Sequence, residues 1–287
     1  MNKLHGTGVA LVTPFTASGA VDYAAWKRLL DFTIAGSVEY LVVNGTTGES
    51  PTVTVAEKTE LLQVALAHVA GRVPLVYGIG GNDTAATETQ LRRTDLAGIT
   101  AILSASPAYN KPSQAGLVAH YQRLADASPL PLLLYNVPGR TGSNLTADTT
   151  LRLAQHPNIL GIKEASGNLE QCLAILAQQP ADFLFLSGDD LLTVPLIACG
   201  AVGVISVLGN AFPRKFSDMT RAALTGDYAR ARRLLYDFTA LNPLMYEEGN
   251  PVGVKAALAR QGVCEAAVRL PLVEASAGLR ERIGKLV

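Results

Sequence analysis

Short apolar runs rich in valine, isoleucine and leucine recur along most of the chain, at residues 9–12, 40–43, 75–79, 101–103, 132–135, 159–162, 183–186 and 202–207. Apolar residues follow one another in these runs rather than alternating with polar ones, which is the pattern of strands buried on both faces. Between them lie stretches with helical spacing, such as 23–34, 55–69, 115–125 and 169–177. The repeated unit is a strand followed by a helix, and eight of them predict an α/β fold of the (β/α)8 TIM-barrel type, with a doubly wound sheet as the alternative.

The punctuation after each run favours the barrel. The ends are Thr13-Pro14, the segment 44–48, Gly80-Gly81-Asn82, the segment 104–109, the segment 136–141, Lys163-Glu164, Gly188-Asp189-Asp190 and Gly209-Asn210. In a barrel such loops gather at the C-terminal face, where active sites sit. After Gly226 the strand signal stops, so the chain divides into a barrel over 1–226 and a helical appendage over 227–287. In the appendage Asp227 opens a run with Tyr228, Ala231, Leu234, Leu235, Phe238 and Leu241 at helical spacing. A second helix is expected with Asn250 as N-cap, Pro251 in the first turn and Gly262 past its end, and a third over about 274–285.

Composition narrows the range of partners. The 287 residues carry 24 basic and 24 acidic side chains, and a pI near 6.9 leaves no basic footprint for nucleic acid or an anionic membrane. A small-molecule ligand is the expectation. Cys172, Cys199 and Cys264 are odd in number and far apart, which fits reduced thiols in the cytoplasm and predicts inert core residues. The four histidines, His5, His68, His120 and His156, are scattered without ligand spacing, so no metal site is expected. Residues 1–15 do not read as a signal peptide. Residues 191–213 carry no charge over a length that could span a bilayer, but Pro195, Gly200, Gly203, Gly209 and Asn210 interrupt them. A buried helix followed by a buried strand is the better reading.

Several motifs fail. Gly78-Ile79-Gly80-Gly81-Asn82-Asp83 starts like a dinucleotide fingerprint but has Asp83 where the third glycine belongs, and neither a P-loop nor a nucleophile elbow occurs. Lys163 is different, because it ends a strand where its side chain would project toward the barrel mouth. Burial there disfavours the charged form of an amine and so favours the nucleophilic one. The competing reading is that Lys163 simply pairs with a carboxylate such as Glu164. The threonine loop 45–50 and the segment 135–142 could each be plain turn chemistry. Converging on one mouth, they supply backbone donors, a tyrosine and an arginine, a set suited to a small keto acid attacked by Lys163.

In this order and spacing, GTTGES, SPAYNKPSQ, YNVPGRTG, GIKEASGN, LSGDD and GVISV resemble the dihydrodipicolinate synthase family, within the pyruvate-dependent aldolase superfamily that includes N-acetylneuraminate lyase. The resemblance covers nearly the whole chain. It implies condensation of pyruvate with L-aspartate 4-semialdehyde to 4-hydroxy-tetrahydrodipicolinate, in lysine and diaminopimelate biosynthesis. It implies that Lys163 forms the Schiff base, that the amides of Thr46 and Thr47 hold the carboxylate, and that Tyr135 is the general acid/base. The Thr46 hydroxyl would relay protons to Tyr109 of a neighbouring subunit, Arg140 would bind the semialdehyde carboxylate, and Gly188 and Ile205 would line the site. It further implies a homotetramer built as a dimer of dimers, with neither cofactor nor metal, because the lysine imine is itself the electron sink. The family pattern Pro-Tyr-Tyr is Pro107-Ala108-Tyr109 here, which leaves interface packing open. A sister lyase acting on a sugar-derived keto acid, and a silent metabolite-binding barrel, are the rival readings.

Overall fold

The computed structural model describes residues 4–287. Its strands are β1 Gly6–Ala10, β2 Tyr40–Val43, β3 Leu75–Gly78, β4 Ala101–Ala105, β5 Leu132–Asn136, β6 Ile159–Glu164, β7 Leu184–Ser187 and β8 Gly203–Ser206. They follow one another in sequence order round a closed barrel, with helices between successive strands. This is the (β/α)8 architecture, and the doubly wound alternative falls because an open sheet would reverse strand order at a switch point.

Most strands end within two residues of the apolar runs, and the departures of β1 and β6 have physical reasons. β1 starts three residues before its run because Gly8, Val9 and Ala10 pair with Tyr40, Leu41 and Val42. A Cβ on Gly8 would meet the Tyr40 ring at 2.1 Å, so the residue least suggestive of a strand is the one that admits the tyrosine. β6 runs two residues past its apolar run because Lys163 and Glu164 continue the ladder, opposite Tyr135 and Asn136 on one side and Leu186 and Ser187 on the other.

The chain forms two compact units, one running up to Pro74 and resuming over Ser206–Val287, the other Leu75–Ile205. In the first, the helices Tyr23–Ala35 and Val55–Val69 pack together and Pro213–Leu224 covers β1. Buried Trp26 donates its indole N–H to the Leu61 carbonyl at 3.2 Å. Thr54 and Glu57 form a reciprocal capping box at the start of Val55–Val69.

The segment 227–287 contributes the helices Tyr228–Tyr236, Val252–Arg260 and Ala277–Gly284 to this unit. Asp227, which opens the first run, is its N-cap, accepting from the Arg230 amide at 3.0 Å. Asn250 is not the cap of the second. Pro251 holds that position, and the Asn250 amide nitrogen instead donates to Thr47 Oγ1 at 3.0 Å. The third helix begins behind Ser276, three residues later than expected.

In the second unit β3 to β8 form one parallel ladder, with a register irregularity at Leu132/Leu133 between β5 and β6. The uncharged stretch resolves into the short buried helix Thr193–Ala198, followed by buried β8. No helix among the described residues is long and apolar enough to cross a membrane. Cys172 and Cys264 are buried, and desolvation pushes their thiols up to about 12 and about 11. Cys199 is a correction to the expected core role, because it caps the end of Thr193–Ala198 and is exposed. Residues 1–3, part of the segment read for a leader, lie outside the described residues.

Candidate active site

Tyr135 on β5 and Lys163 on β6 are direct partners in the ladder, so parallel pairing puts their side chains side by side on one face of the sheet. Both are buried, at 7% and 4% exposure, and Lys163 Nζ stands 4.3 Å from the centre of the Tyr135 ring. Among the described residues the Lys163 amine has no hydrogen-bond or ion-pair partner. The adjacent carboxylate does not neutralise it. Successive strand residues face opposite ways, and Glu164 turns to the helical side, where it accepts from Ser166 N at 2.6 Å, Asn136 Nδ2 at 2.9 Å and Gln171 Nε2 at 3.1 Å. The reading in which Lys163 is merely half of a pair with Glu164 is therefore overturned. The amine thus stands in a buried slot with the Tyr135 ring face as its neighbour and no carboxylate beside it.

Gly188 donates its amide to the Glu164 carbonyl at 2.7 Å just beyond the lysine. A side chain there is excluded, since a Cβ would stand 2.6 Å from that of Ala165 and 3.0 Å from the Glu164 carbonyl oxygen. Ile205 is a fully buried residue of β8.

The loop after β5 contains the short turn of helix Pro138–Thr141, closed by Gly142 in the left-handed region. Arg140 in it is exposed, and its guanidinium has no partner among the described residues. The loop after β4 is tied to this turn by Tyr109 N to the Thr141 carbonyl at 3.1 Å and by Ser143 Oγ to the Pro107 carbonyl at 3.0 Å. Tyr109 itself sits at φ 69° and is 88% exposed. A left-handed tyrosine is strained, and here the strain sets an aromatic side chain out in solvent. The structure thus brings Lys163 and Tyr135 into contact, while Tyr109 finds no partner for its ring within the unit.

In the first unit Gly45 leads into the 3₁₀ turn Thr46–Gly48. The Gly48 and Glu49 amides close back on Gly45 and Thr46, each at 3.0 Å. The Thr46 and Thr47 amides have no acceptor among the described residues, leaving two adjacent donors of the kind that receive an anion. Thr13 Oγ1 donates to the Gly48 carbonyl at 2.6 Å, and Asn250 holds the Thr47 hydroxyl. Sequence reasoning missed Asn250 in this role and also the ion pair beneath the turn, Lys255 Nζ to Glu49 Oε1 at 2.6 Å. The available signal was a lone charge in the apolar stretch 252–258, which asks for a buried partner. Among the described residues no three or more histidine, cysteine or acidic side chains gather as a metal site.

Comparison with known proteins identifies the family. The model of the dihydrodipicolinate synthetase family matches residues 3–287. A 4-hydroxy-tetrahydrodipicolinate synthase of Cytophaga hutchinsonii is 54% identical over 283 residues, covering 99% of this chain and 95% of that protein. The solved dihydrodipicolinate synthase of Aquifex aeolicus superposes with a TM-score of 0.94 at 38% identity, covering 99% of this chain and 97% of that one. The chloride-inhibited enzyme of Acinetobacter baumannii, solved in complex with pyruvate, superposes with a TM-score of 0.95 at 36% identity, covering 99% and 97%. A bare strand-borne lysine, its tyrosine neighbour and the threonine turn occur here in a chain matched almost end to end, and the chain belongs to the dihydrodipicolinate synthetase family.

Proposed function

We propose that this chain condenses pyruvate with L-aspartate 4-semialdehyde to give 4-hydroxy-tetrahydrodipicolinate, a lyase reaction of lysine and diaminopimelate biosynthesis. The observation that carries the reading is the unpaired Lys163 amine in its buried slot against Tyr135. Lys163 attacks the keto carbon of pyruvate and water leaves, giving an imine. The amides of Thr46 and Thr47 are the proposed donors to the pyruvate carboxylate. Loss of a methyl proton converts the imine to an enamine, which adds to the aldehyde carbon. The substrate amine then displaces Lys163 as the ring closes, returning the lysine to its starting state. Tyr135 carries protons in these steps, with the Thr46 hydroxyl and Tyr109 of a neighbouring subunit as its relay. Arg140 offers a planar fork to the second carboxylate. Gly188 and Ile205 are proposed to line the site through backbone groups.

A homotetramer arranged as a dimer of dimers fits the exposed Tyr109, a residue whose role is assigned across a subunit boundary. Free thiols and a biosynthetic role favour the cytoplasm. No cofactor enters the scheme, because the protonated imine withdraws the electrons. The test is an assay of purified protein with pyruvate and aspartate semialdehyde, read through reduction of the cyclised product. Turnover with this pair, and none when the semialdehyde is replaced by a sugar-derived aldehyde, is expected. The reverse preference would transfer the chain to the sister lyase activity.

A further inference from the structure

Lys255 is completely buried, and so is Glu49 opposite it, with side-chain exposures of 0% and 2%. An ammonium ion in such a place is costly unless every proton is received. Lys255 Nζ donates to Glu49 Oε1 at 2.6 Å and to the Ala267 carbonyl at 2.7 Å, and lies 4.2 Å from the centre of the Phe15 ring. Glu49 Oε2 accepts from the Arg269 amide at 3.0 Å. Glu49 is also the hinge between two short turns. It closes Thr46–Gly48, opens Ser50–Thr52, and stands at φ 54°, in the left-handed region. Its amide donates to the Thr46 carbonyl, and its carbonyl receives the Thr52 amide.

A buried ion pair can commonly be replaced by apolar groups of similar shape without loss of stability, so stability alone does not account for one placed here. What this pair does geometrically is anchor the one residue whose backbone sets the pitch of the threonine turn. We propose that Lys255 is a positioning residue: through Glu49 it holds the free amides of Thr46 and Thr47 in the orientation that receives the carboxylate of a 2-keto acid. The inference rests on the assignment of those amides to pyruvate. It gives the helix Val252–Arg260 a part in substrate binding, with Asn250 as a second tether on Thr47.

The test uses the full chain and the double variant Glu49→Gln/Lys255→Met, which removes both charges and keeps both shapes, with Glu49→Gln alone as the second variant. Each is incubated with pyruvate, or with acetaldehyde as a carbonyl lacking the carboxylate, and the imine is trapped with borohydride. Misplacing a binding group by about 1 Å can cost on the order of a hundredfold. The expected result is a folded variant whose KM for pyruvate rises at least about tenfold, and whose trapping preference for pyruvate over acetaldehyde falls by a similar factor. Unchanged KM, or equal losses with pyruvate and acetaldehyde, would overturn the proposal. So would failure of both variants to fold, which would make the pair a requirement of the fold. If the unaltered protein traps acetaldehyde but no pyruvate, the assignment of the amides falls first and this proposal with it.

Discussion

Arg140→Ala isolates one proposed substrate contact with little disturbance elsewhere. The guanidinium is exposed and makes no hydrogen bond or ion pair among the described residues, so its removal strands no buried partner. The Arg140 amide donates to the Val137 carbonyl at 2.9 Å, a bond that alanine keeps, and the turn Pro138–Thr141 survives. Stability should therefore change by no more than about 0.5 kcal/mol, the ordinary range for a surface substitution. The kinetic cost is different. A hydrogen bond to a charged group is worth about 1.5 to 3 kcal/mol, which corresponds to roughly tenfold to somewhat over a hundredfold in kcat/KM for aspartate semialdehyde. Arg140→Lys should fall between, because it keeps the charge and loses the fork. Steady-state kinetics with each substrate varied, alongside borohydride trapping of pyruvate alone, separates the effects. Imine formation should be near normal while use of the semialdehyde collapses. Equal damage to both substrates, or a melting temperature lowered in step with activity, would refute the assignment.

Tyr109→Phe should reduce turnover by at least about tenfold, as loss of a proton-relay group does, with little change in stability, since the side chain is solvent-facing in the single chain; a fully active monomer in sedimentation at assay concentration would contradict the shared site. Millimolar lysine should inhibit weakly or not at all. By the resemblance, Val55, Lys58, Ala86 and Ala108 would stand where lysine-sensitive members of the family carry two histidines, a glutamate and an aromatic residue. The acidic groups nearby are already used, Asp83 in capping the helix Thr84–Arg93 and Glu88 between Arg92 and Arg123. Half-inhibition below about 1 mM, roughly 4 kcal/mol of binding, would count against this. Acid stability should depend on Glu57, whose carboxyl is held down to about 2 by the two-pronged contact with Arg269, against an opposing desolvation. A depressed carboxyl contributes fully above its unfolded value near 4.5 and loses that contribution as pH falls toward 2. Glu57→Gln should flatten that part of the stability curve by on the order of 1 kcal/mol, given solvent screening, as followed by urea unfolding between pH 5 and pH 2; an unchanged slope would contradict it.

Local pattern decided much of the fold. β2 and the helix Val55–Val69 were legible to their end residues, because apolar periodicity changes abruptly at both. β1 was not, because Gly6 leaves room for Glu39 and Gly8 for the Tyr40 ring, and both are properties of the neighbours. The pairing of Lys163 with Tyr135 and the turning away of Glu164 depend on ladder register, which no single strand reveals. Asn250 looked like a helix cap by position, whereas its amide is spent on a threonine 203 residues away. Lys255 stood in the sequence as a spare lysine. Its burial against Glu49, 206 residues distant, gives it structural work. Lys215 is likewise engaged, with Asp237 at 2.6 Å.

Whether Lys163 forms the imine can be read by peptide mass analysis after incubation with pyruvate and borohydride. One reduced pyruvate adduct per chain is expected, confined to the peptide that carries Lys163, and none in Lys163→Ala. An adduct on Lys111 or another lysine, or trapping that persists in the variant, would contradict it.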